Sequence, residues 1–150
     1  MSPSPLNLKQ LFVGVLTGQG QITGLTGRVL AAFSLEFYGE WSIGCDALHL
    51  DEVMVYADGH EVRRHWAAQF DADGGLLAFD SQQAARLRGR SLDDRARLVF
   101  DRSLAVGPEV ISPRVVIEVF EDADGRVRLE GRTKLLGLTL RRSRAVLNRG

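Results

Sequence analysis

The sequence predicts an all-β protein that folds as an antiparallel up-and-down β-barrel of about eight to ten strands. Three observations predict this fold class. Apolar and polar residues alternate with a period of two along most of the chain, residues typical of turns recur about every ten to eighteen positions, and glycines interrupt the alternating segments. Hairpin connections between antiparallel strands account for this spacing better than crossover helices do. A barrel is favoured over a sandwich because closure leaves no edge strand unpaired.

The alternating segments mark the strands in chain order. In AAFSLEFYGEW (31–41), the aromatic and leucine side chains fall largely on one face, opposite the glutamates. The same half-buried pattern recurs in ARLVFDRSL (96–104), RVVIEVFED (114–122) and RVRLEGR (126–132). Helix is limited to about one turn near Ser4 to Gln10. The segment from Leu104 to Arg114 holds two prolines and is expected to form a longer loop at one barrel mouth.

Turn residues set the boundaries between the strands. The predicted turns are Gly24 to Gly27, Ala57-Asp58-Gly59, Asp71 to Gly75, Leu92-Asp93-Asp94, Gly107-Pro108 and Asp122 to Gly125. Glycines inside strands usually mark bulges or tight bends, which a small closed barrel needs. These glycines are Gly14, Gly18, Gly20, Gly89, Gly131 and Gly137. The chain shows no internal repeat or linker, so residues 1–150 are expected to form a single domain.

Composition restricts the classes of function. The chain of 150 residues has a formal net charge of +0, which argues against a general attraction to nucleic acid. Acids predominate before residue 62 and bases from residue 126 onward, a pattern typical of solvated strand faces more often than of a partner-binding patch. A single cysteine, Cys45, excludes an intrachain disulfide, and the three histidines match no zinc signature. No metal or cofactor is therefore expected.

The location predicted from the sequence is the cytoplasm. No apolar run is long enough for a membrane span, and the N-terminal segment lacks the pattern of a signal peptide. The oligomeric state is left open, with a homodimer as one alternative.

One hairpin, LHLDEVMVYADGHEVRRHW (48–66), places charges inside its apolar face. The loop Ala57-Asp58-Gly59 predicts a type I turn followed by a left-handed glycine. The resulting register sets Glu52 opposite Arg64 on a face that is otherwise mostly apolar. A register shifted by one residue would set the apolar side of one strand against the charged side of the other, so the pattern excludes it.

Two interpretations of this ion pair are open. In the first and favoured interpretation, the pair satisfies itself within the core; in the second, it lines a cavity and orients the polar head of a ligand. In the second case the expected ligand-binding residues are Glu52, Arg64, Trp66, Tyr56, Met54, Trp41 and Phe37. Core packing is the favoured alternative for Trp41 and Trp66. Asp51 and His65 face each other on the opposite side, where a solvated pair is favoured over acid–base catalysis.

Several positions match the pattern of a known bacterial family: Phe12, Gly14, Phe33, Gly39, Trp41, Leu50 to Glu52, Tyr56, Asp58-Gly59, Arg64 and Trp66. On these positions the chain resembles the family known as domain of unknown function 3833. The resemblance weakens after about residue 75, where DSQQAARLRG replaces the family's usual DDVVG, and Gly131 stands where relatives have Asn. Many relatives carry a lipoprotein signal that this chain lacks. The resemblance implies a lipocalin-like, or calycin, barrel and a connection with lipids.

The leading functional hypothesis is a barrel that binds a small apolar or fatty-acid-like ligand. The alternative is an isomerase or cyclase acting on an unsaturated lipid, with Glu52 and Arg64 as acid–base and anion-holding groups. A third hypothesis is a barrel with a filled core and only surface interactions. The sequence contains no nucleophile elbow and no phosphate-binding loop. The expected partner is therefore a small apolar ligand or lipid, and not nucleic acid.

Overall fold

Ten antiparallel strands close into a barrel in the computed structural model of the chain. The structure describes residues 8–44, 47–73, 75–80, 85–92, 94–101, 104–106, 109–111, 114–135 and 138–150. Each barrel strand pairs with the next one along the chain, and the last strand pairs with the first. The fold is thus the all-β, up-and-down barrel that the alternating sequence predicts, and it fits the lipocalin-like barrel that the family resemblance implies.

The barrel is preceded by a single helical turn, α1 (Leu8–Leu11). Its strands are β1 (Gly14–Thr23), β2 (Val29–Trp41), β3 (Leu48–Tyr56), β4 (Glu61–Phe70), β5 (Leu76–Asp80), β6 (Ala85–Ser91), β7 (Ala96–Asp101), β10 (Arg114–Glu121), β11 (Val127–Leu135) and β12 (Leu138–Arg149). Between β7 and β10 a separate hairpin forms from β8 (Leu104–Val106) and β9 (Glu109–Ile111).

β2 shows how the alternating pattern builds the core. Phe33, Leu35 and Phe37 are buried in the barrel, whereas Ser34 and Glu36 are exposed to solvent. Burying one large apolar side chain contributes roughly 1.5–3 kcal/mol. The period of two therefore decides which face of each strand turns inward.

β1 closes the barrel through two glycines on its inner face. A Cβ atom at Gly18 would overlap the backbone carbonyl of Val146, and one at Gly20 would overlap that of Arg144. The ring of Phe33 also lies against Gly20. Any side chain at these positions would push β12 away, so glycine permits the close approach that closure requires.

The two ends of the barrel differ. At the closed end, Leu8 and Leu11 of α1 are almost fully buried in the core. Phe12 packs edge-on against Phe37 with ring centroids 5.5 Å apart, and Arg149 Nη1 donates a hydrogen bond to the Leu11 carbonyl at 3.3 Å. The opposite end, called the open mouth below, is bordered by the β1–β2 turn, the β3–β4 turn and the start of β12.

The structure refines three details of the sequence prediction. The described helical turn runs from Leu8 to Leu11, and residues 4–7 of the predicted turn Ser4 to Gln10 lie outside the described part of the chain. The strand predicted over 96–104 ends at Asp101, because its pairing with both β6 and β10 ends there. Leu104 instead begins the β8–β9 hairpin, within the segment expected to be a loop.

The predicted turns near Gly24, Ala57, Asp71, Leu92 and Asp122 all separate consecutive strands. Two further predictions, the Gly107-Pro108 turn and the bend at Gly137, lie outside the described residues.

Candidate ligand-binding site

The turn between β3 and β4 positions a charged pair inside the barrel. Gly59 has a φ of 92°, in the left-handed region, and its amide donates a hydrogen bond to the Tyr56 carbonyl at 2.9 Å. The Tyr56 amide donates to the His60 carbonyl at 2.8 Å, which closes the three-residue loop. This loop sets a register in which Glu52 lies directly opposite Arg64. The register predicted from the sequence is confirmed.

Glu52 and Arg64 form an ion pair with little access to solvent. Arg64 Nη1 donates a hydrogen bond to Glu52 Oε2 at 3.3 Å, and the two side chains are 18% and 12% exposed. Arg64 Cζ also lies 5.3 Å from the centroid of the Phe100 ring, and Trp66 packs edge-on against that ring at 5.7 Å. The guanidinium therefore has a carboxylate on one side and an aromatic face on another. Arg64 Nε is buried without a hydrogen-bond partner among the described residues.

The environment of Glu52 changes its acidity. Burial raises the pKa of the Glu52 carboxyl above its ordinary value, although the Arg64 charge and hydrogen bonds from Arg64 and Trp66 oppose the rise. The negative charge of Asp80 adds to the rise. Asp80 is itself buried and lies opposite Trp66 in the pairing of β4 with β5. The inner faces of three neighbouring strands thus bring Glu52, Arg64 and Asp80 together.

The barrel interior contains a cavity of about 280 Å³. Aromatic and aliphatic side chains form most of its wall, including Phe12, Phe33, Phe37, Met54, Leu98 and Ile117. The volume is just below the roughly 300–1,000 Å³ of small-molecule sites. An unfilled interior argues against the hypothesis of a barrel with a filled core.

The cavity adjoins the open mouth and shares lining residues with it. A wider groove of about 830 Å³ lies at that end, bordered in part by the β3–β4 turn. Ile22, Arg64 and Arg141 line both the cavity and the groove. Arg64 therefore stands at the junction between an apolar interior and a polar, solvent-exposed opening.

The structure separates the predicted ligand-binding residues into three groups. The interior cavity is lined by Phe37, Glu52, Met54, Arg64 and Trp66. Tyr56 lines the groove at the open mouth. Trp41 lines neither of these two spaces and packs against Phe70, with ring centroids 5.7 Å apart.

Sequence reasoning missed the contribution of β12. Arg141 and Ser143 line the cavity and pair with Thr133 and Gly131 of β11. A register shift after Thr133 changes which β12 side chains face inward, and the run of arginines in LTLRRSRAVLNR hides the alternation. The available signal was the apolar alternation of Ala145 and Leu147 farther along the same strand, and both side chains are buried in the structure.

The outer face of the same hairpin carries the second predicted pair. Asp51 and His65 contact each other there, with side chains 60% and 48% exposed. The His65 ring stacks on His49 with centroids 5.5 Å apart. An exposed ion pair contributes about 0–1 kcal/mol, and neither the interior cavity nor the groove at the open mouth is lined by Asp51 or His65. Its position outside the barrel is as predicted.

Two features are absent from the described ranges. No group of three or more His, Cys, Asp or Glu side chains there is placed to hold a metal ion. No helix in that part of the chain is long and apolar enough to cross a membrane.

Comparison with known proteins connects the chain to a family. The family described as protein of unknown function (DUF3833) has a model that matches residues 2–95, which is more than half of the chain. The match covers α1 and β1 to β6, and therefore includes Glu52 and Arg64. Arg141 lies beyond it. Among curated proteins no match is found.

Proposed function

The chain belongs to the DUF3833 family, and we propose that it binds a small apolar ligand with an anionic head, such as a fatty acid, inside its lipocalin-like, or calycin, barrel. One observation carries the proposal: the half-buried Arg64 guanidinium stands where the apolar cavity meets the open mouth. The apolar wall suits the hydrocarbon part of such a ligand, and a guanidinium suits a carboxylate head.

Arg64 keeps hydrogen-bonding capacity for a ligand. A guanidinium carries five N–H donors, and the bond to Glu52 uses one of them on Nη1. The buried Nε has no acceptor among the described residues. An unsatisfied buried donor costs about 1–3 kcal/mol, so a ligand oxygen that reached Nε would recover that free energy.

Glu52 would otherwise repel an incoming carboxylate, and its raised pKa offers a way to avoid this. A carboxyl whose protonated form is stabilised by burial takes up a proton more readily than an exposed one. In the proposed complex Glu52 is protonated when the ligand head binds, which leaves the Arg64 charge to the ligand.

Arg141 supplies a second positive charge at the same rim. It lines both the cavity and the groove, and it forms no ion pair within the described part of the chain. Two cations at one opening raise the local concentration of anions. The proposed ligand therefore lies with its head at the open mouth and its apolar tail toward α1.

The experiment that tests this function compares a fatty acid with its methyl ester. Both are titrated against the parent and against the double variant Glu52→Gln, Arg64→Met, by displacement of a fluorescent fatty-acid probe. A charge-assisted hydrogen bond contributes about 1.5–3 kcal/mol, so the parent should bind the acid about tenfold or more tightly than the ester. In the variant the two affinities should become equal.

A matched control uses the outer face of the same two strands. The double variant Asp51→Asn, His65→Gln changes one acid and one base at the neighbouring register pair, and it should keep the parent's preference for the acid. Equal affinity for acid and ester in the parent would contradict the proposal and leave Arg64 with a structural role.

The raised pKa of Glu52 also favours a second candidate function. A carboxyl that holds its proton in an apolar cavity can act as a general acid, as an isomerase or cyclase of an unsaturated lipid would require. The ion pair with Arg64 opposes this role, since it favours the charged form. Conversion of a polyunsaturated fatty acid by the parent, lost in the single variant Glu52→Gln, would support the enzyme.

The proposed compartment is the cytoplasm. Its reducing conditions suit a chain whose single cysteine, Cys45, cannot form an intrachain disulfide. Recovery of the native protein outside the cytoplasm would contradict this assignment.

A further inference from the structure

Exposed apolar side chains cluster on one side of the open mouth. On the β1–β2 and β11–β12 hairpins they are Leu25, Val29, Leu30, Leu138 and Leu140. The other large exposed apolar side chains of the described residues lie toward the closed end or on the outer face of β5: Val13, Tyr38, Ile43, Leu92 and Phe79. Single exposed apolar residues are ordinary, whereas contiguous ones mark a surface that contacts a partner.

The pairing of β1 brings these two hairpins together. Thr23, near the end of β1, pairs with Val29 on one side and with Arg142 on the other. Neighbouring strands lie about 4.8 Å apart, so the two hairpins flank the end of β1. β12 begins before Arg142 and extends past the end of β1, which carries Leu138 and Leu140 beside the β1–β2 turn.

Basic side chains accompany the apolar ones on the same hairpins. They include Arg28, Lys134 and Arg141, none of which forms an ion pair in the part of the chain that the structure describes. On the outer face nearby, Arg132 lies directly opposite Arg142. Like charges opposite each other across strands destabilise a sheet, and a negatively charged partner removes that penalty.

The mouth rim is defined here by the apolar residues Leu25, Val29, Leu30, Leu138 and Leu140 and the basic residues Arg28, Lys134 and Arg141. Acids at this end of the barrel include Asp58 and Glu61 on the β3–β4 hairpin, and Glu61 is paired with Arg63. The rim itself thus combines apolar and positively charged side chains beside the opening of the cavity.

We propose that the mouth rim docks the barrel onto an anionic lipid bilayer, with the open mouth facing the membrane. The leucine and valine side chains enter the interface, and the basic side chains contact the negatively charged headgroups. A second copy of the chain is a poorer partner for this surface, because two basic rims repel each other. Docking would place the opening of the cavity against the membrane, which would then be the source of the acidic lipid. The docking surface is thus an addition to the proposed binding function, on which this role as a lipid source rests.

The test is sedimentation of the protein with vesicles of phosphatidylcholine alone or of phosphatidylcholine mixed with phosphatidylglycerol. The parent should bind the anionic vesicles, and binding should weaken with added salt. The variant Leu25→Ser, Leu138→Ser should bind about tenfold or more weakly. In the variant Arg28→Gln, Lys134→Gln, each lost charge should weaken binding about fivefold.

Matched control variants lie toward the closed end. Ile43→Ser, Leu92→Ser removes two exposed apolar side chains there, and Arg90→Gln, Arg126→Gln removes two exposed charges. Both controls should bind vesicles as the parent does. Failure of the parent to bind anionic vesicles, or an equal loss in rim and control variants, would overturn the proposal. The proposal would also be overturned if analytical ultracentrifugation showed that the parent is a dimer that binds no vesicles, and that the Leu25→Ser, Leu138→Ser variant is a monomer.

Docking and ligand binding are tested separately. Probe displacement in buffer without vesicles should give the same difference between acid and ester for the parent and for Leu25→Ser, Leu138→Ser. Loss of vesicle binding with that difference intact confirms that the rim serves docking. Loss of the difference in this variant would instead show that these side chains belong to the cavity site, and would overturn the separate docking surface.

Discussion

The β3–β4 hairpin carries two acid–base pairs in consecutive register positions, on opposite faces. Glu52 and Arg64 face the barrel interior, and Asp51 and His65 face solvent. The backbone and pairing are the same for both, so the differences arise from the surroundings. The inner side chains are 12% and 18% exposed, and the outer ones 60% and 48%. Solvent screens the outer pair, whereas burial raises the pKa of Glu52 and isolates the inner pair from water.

This comparison shows that the face of the strand on which a residue lies, inward or outward, decides its chemistry. A carboxylate one position away from another can be either an ordinary surface charge or a buried group with a ligand-sized cavity beside it.

The largest expected effect comes from breaking the inner pair. Arg64→Met should lower the free energy of unfolding by about 3–5 kcal/mol, because it leaves Glu52 buried without its cation. The matched change on the outer face, His65→Met, should cost no more than about 1 kcal/mol. Urea denaturation of both variants at neutral pH measures the difference. Equal losses would mean that burial does not distinguish the two pairs.

A change of pH tests the charge of Glu52 on the inner face. The folded-state pKa of Glu52 lies above its ordinary value of 4.5, and loss of Arg64 removes an opposing charge, so the pKa rises further in Arg64→Met. A raised folded-state pKa means that proton uptake stabilises the folded protein as pH falls. The cost of Arg64→Met should therefore be greatest above the raised pKa and shrink as pH falls toward 4.5.

The control for this pH dependence is the double variant Glu52→Gln, Arg64→Met. It has no titrating group at position 52, so its stability relative to the parent should lack the gain on acidification that the single variant shows. Unfolding free energies of all three proteins at several pH values provide the measurement. A pH-independent cost of Arg64→Met would exclude Glu52 as the stranded charge.

The turn that sets the register should show a smaller effect. Gly59 has a φ of 92° and open space around it, so Gly59→Ala costs backbone strain alone, about 1–2 kcal/mol. Gly24 is a turn glycine outside the left-handed region. A Cβ atom added there would lie 3.6 Å from Cδ1 of Leu30, which is an ordinary contact distance. Gly24→Ala should therefore be close to neutral. Thermal unfolding of the two variants compares them, and equal stability would refute the bulged turn.

The smallest expected effect belongs to the outer pair. Asp51→Asn should change the free energy of unfolding by less than about 1 kcal/mol, and the change should vanish at high salt because both partners are exposed. Denaturation at low and high ionic strength measures this. A loss as large as that of Arg64→Met, unaffected by salt, would show that Asp51 has a buried role.

The local parts of the fold could be predicted from the sequence. Alternation in β2 and the turn at Gly59 follow from steric and hydrophobic preferences of neighbouring residues, and these fixed the register of Glu52 with Arg64. Features that join distant strands could not be predicted in this way. Asp80 reaches Glu52 only through the pairing of β5 with β4, and Arg141 reaches the rim only because the barrel closes and β11 shifts register.

Trp41 illustrates a second limit. The alternation of apolar and polar residues in β2 placed it on the inner face. Alternation does not tell how far along the barrel axis a side chain lies. In the structure it packs against Phe70 away from both the cavity and the groove. Depth depends on strand stagger, which is a property of the whole barrel.

A crystal structure of the parent soaked with a saturated fatty acid tests the central claim most directly. The account predicts the carboxylate at the junction of cavity and open mouth, with an oxygen about 2.7–2.9 Å from a nitrogen of Arg64. The hydrocarbon tail should lie between Phe37 and Leu98, pointing toward α1. An empty cavity under saturating ligand, or a fatty acid whose carboxylate lies away from Arg64, would contradict the account.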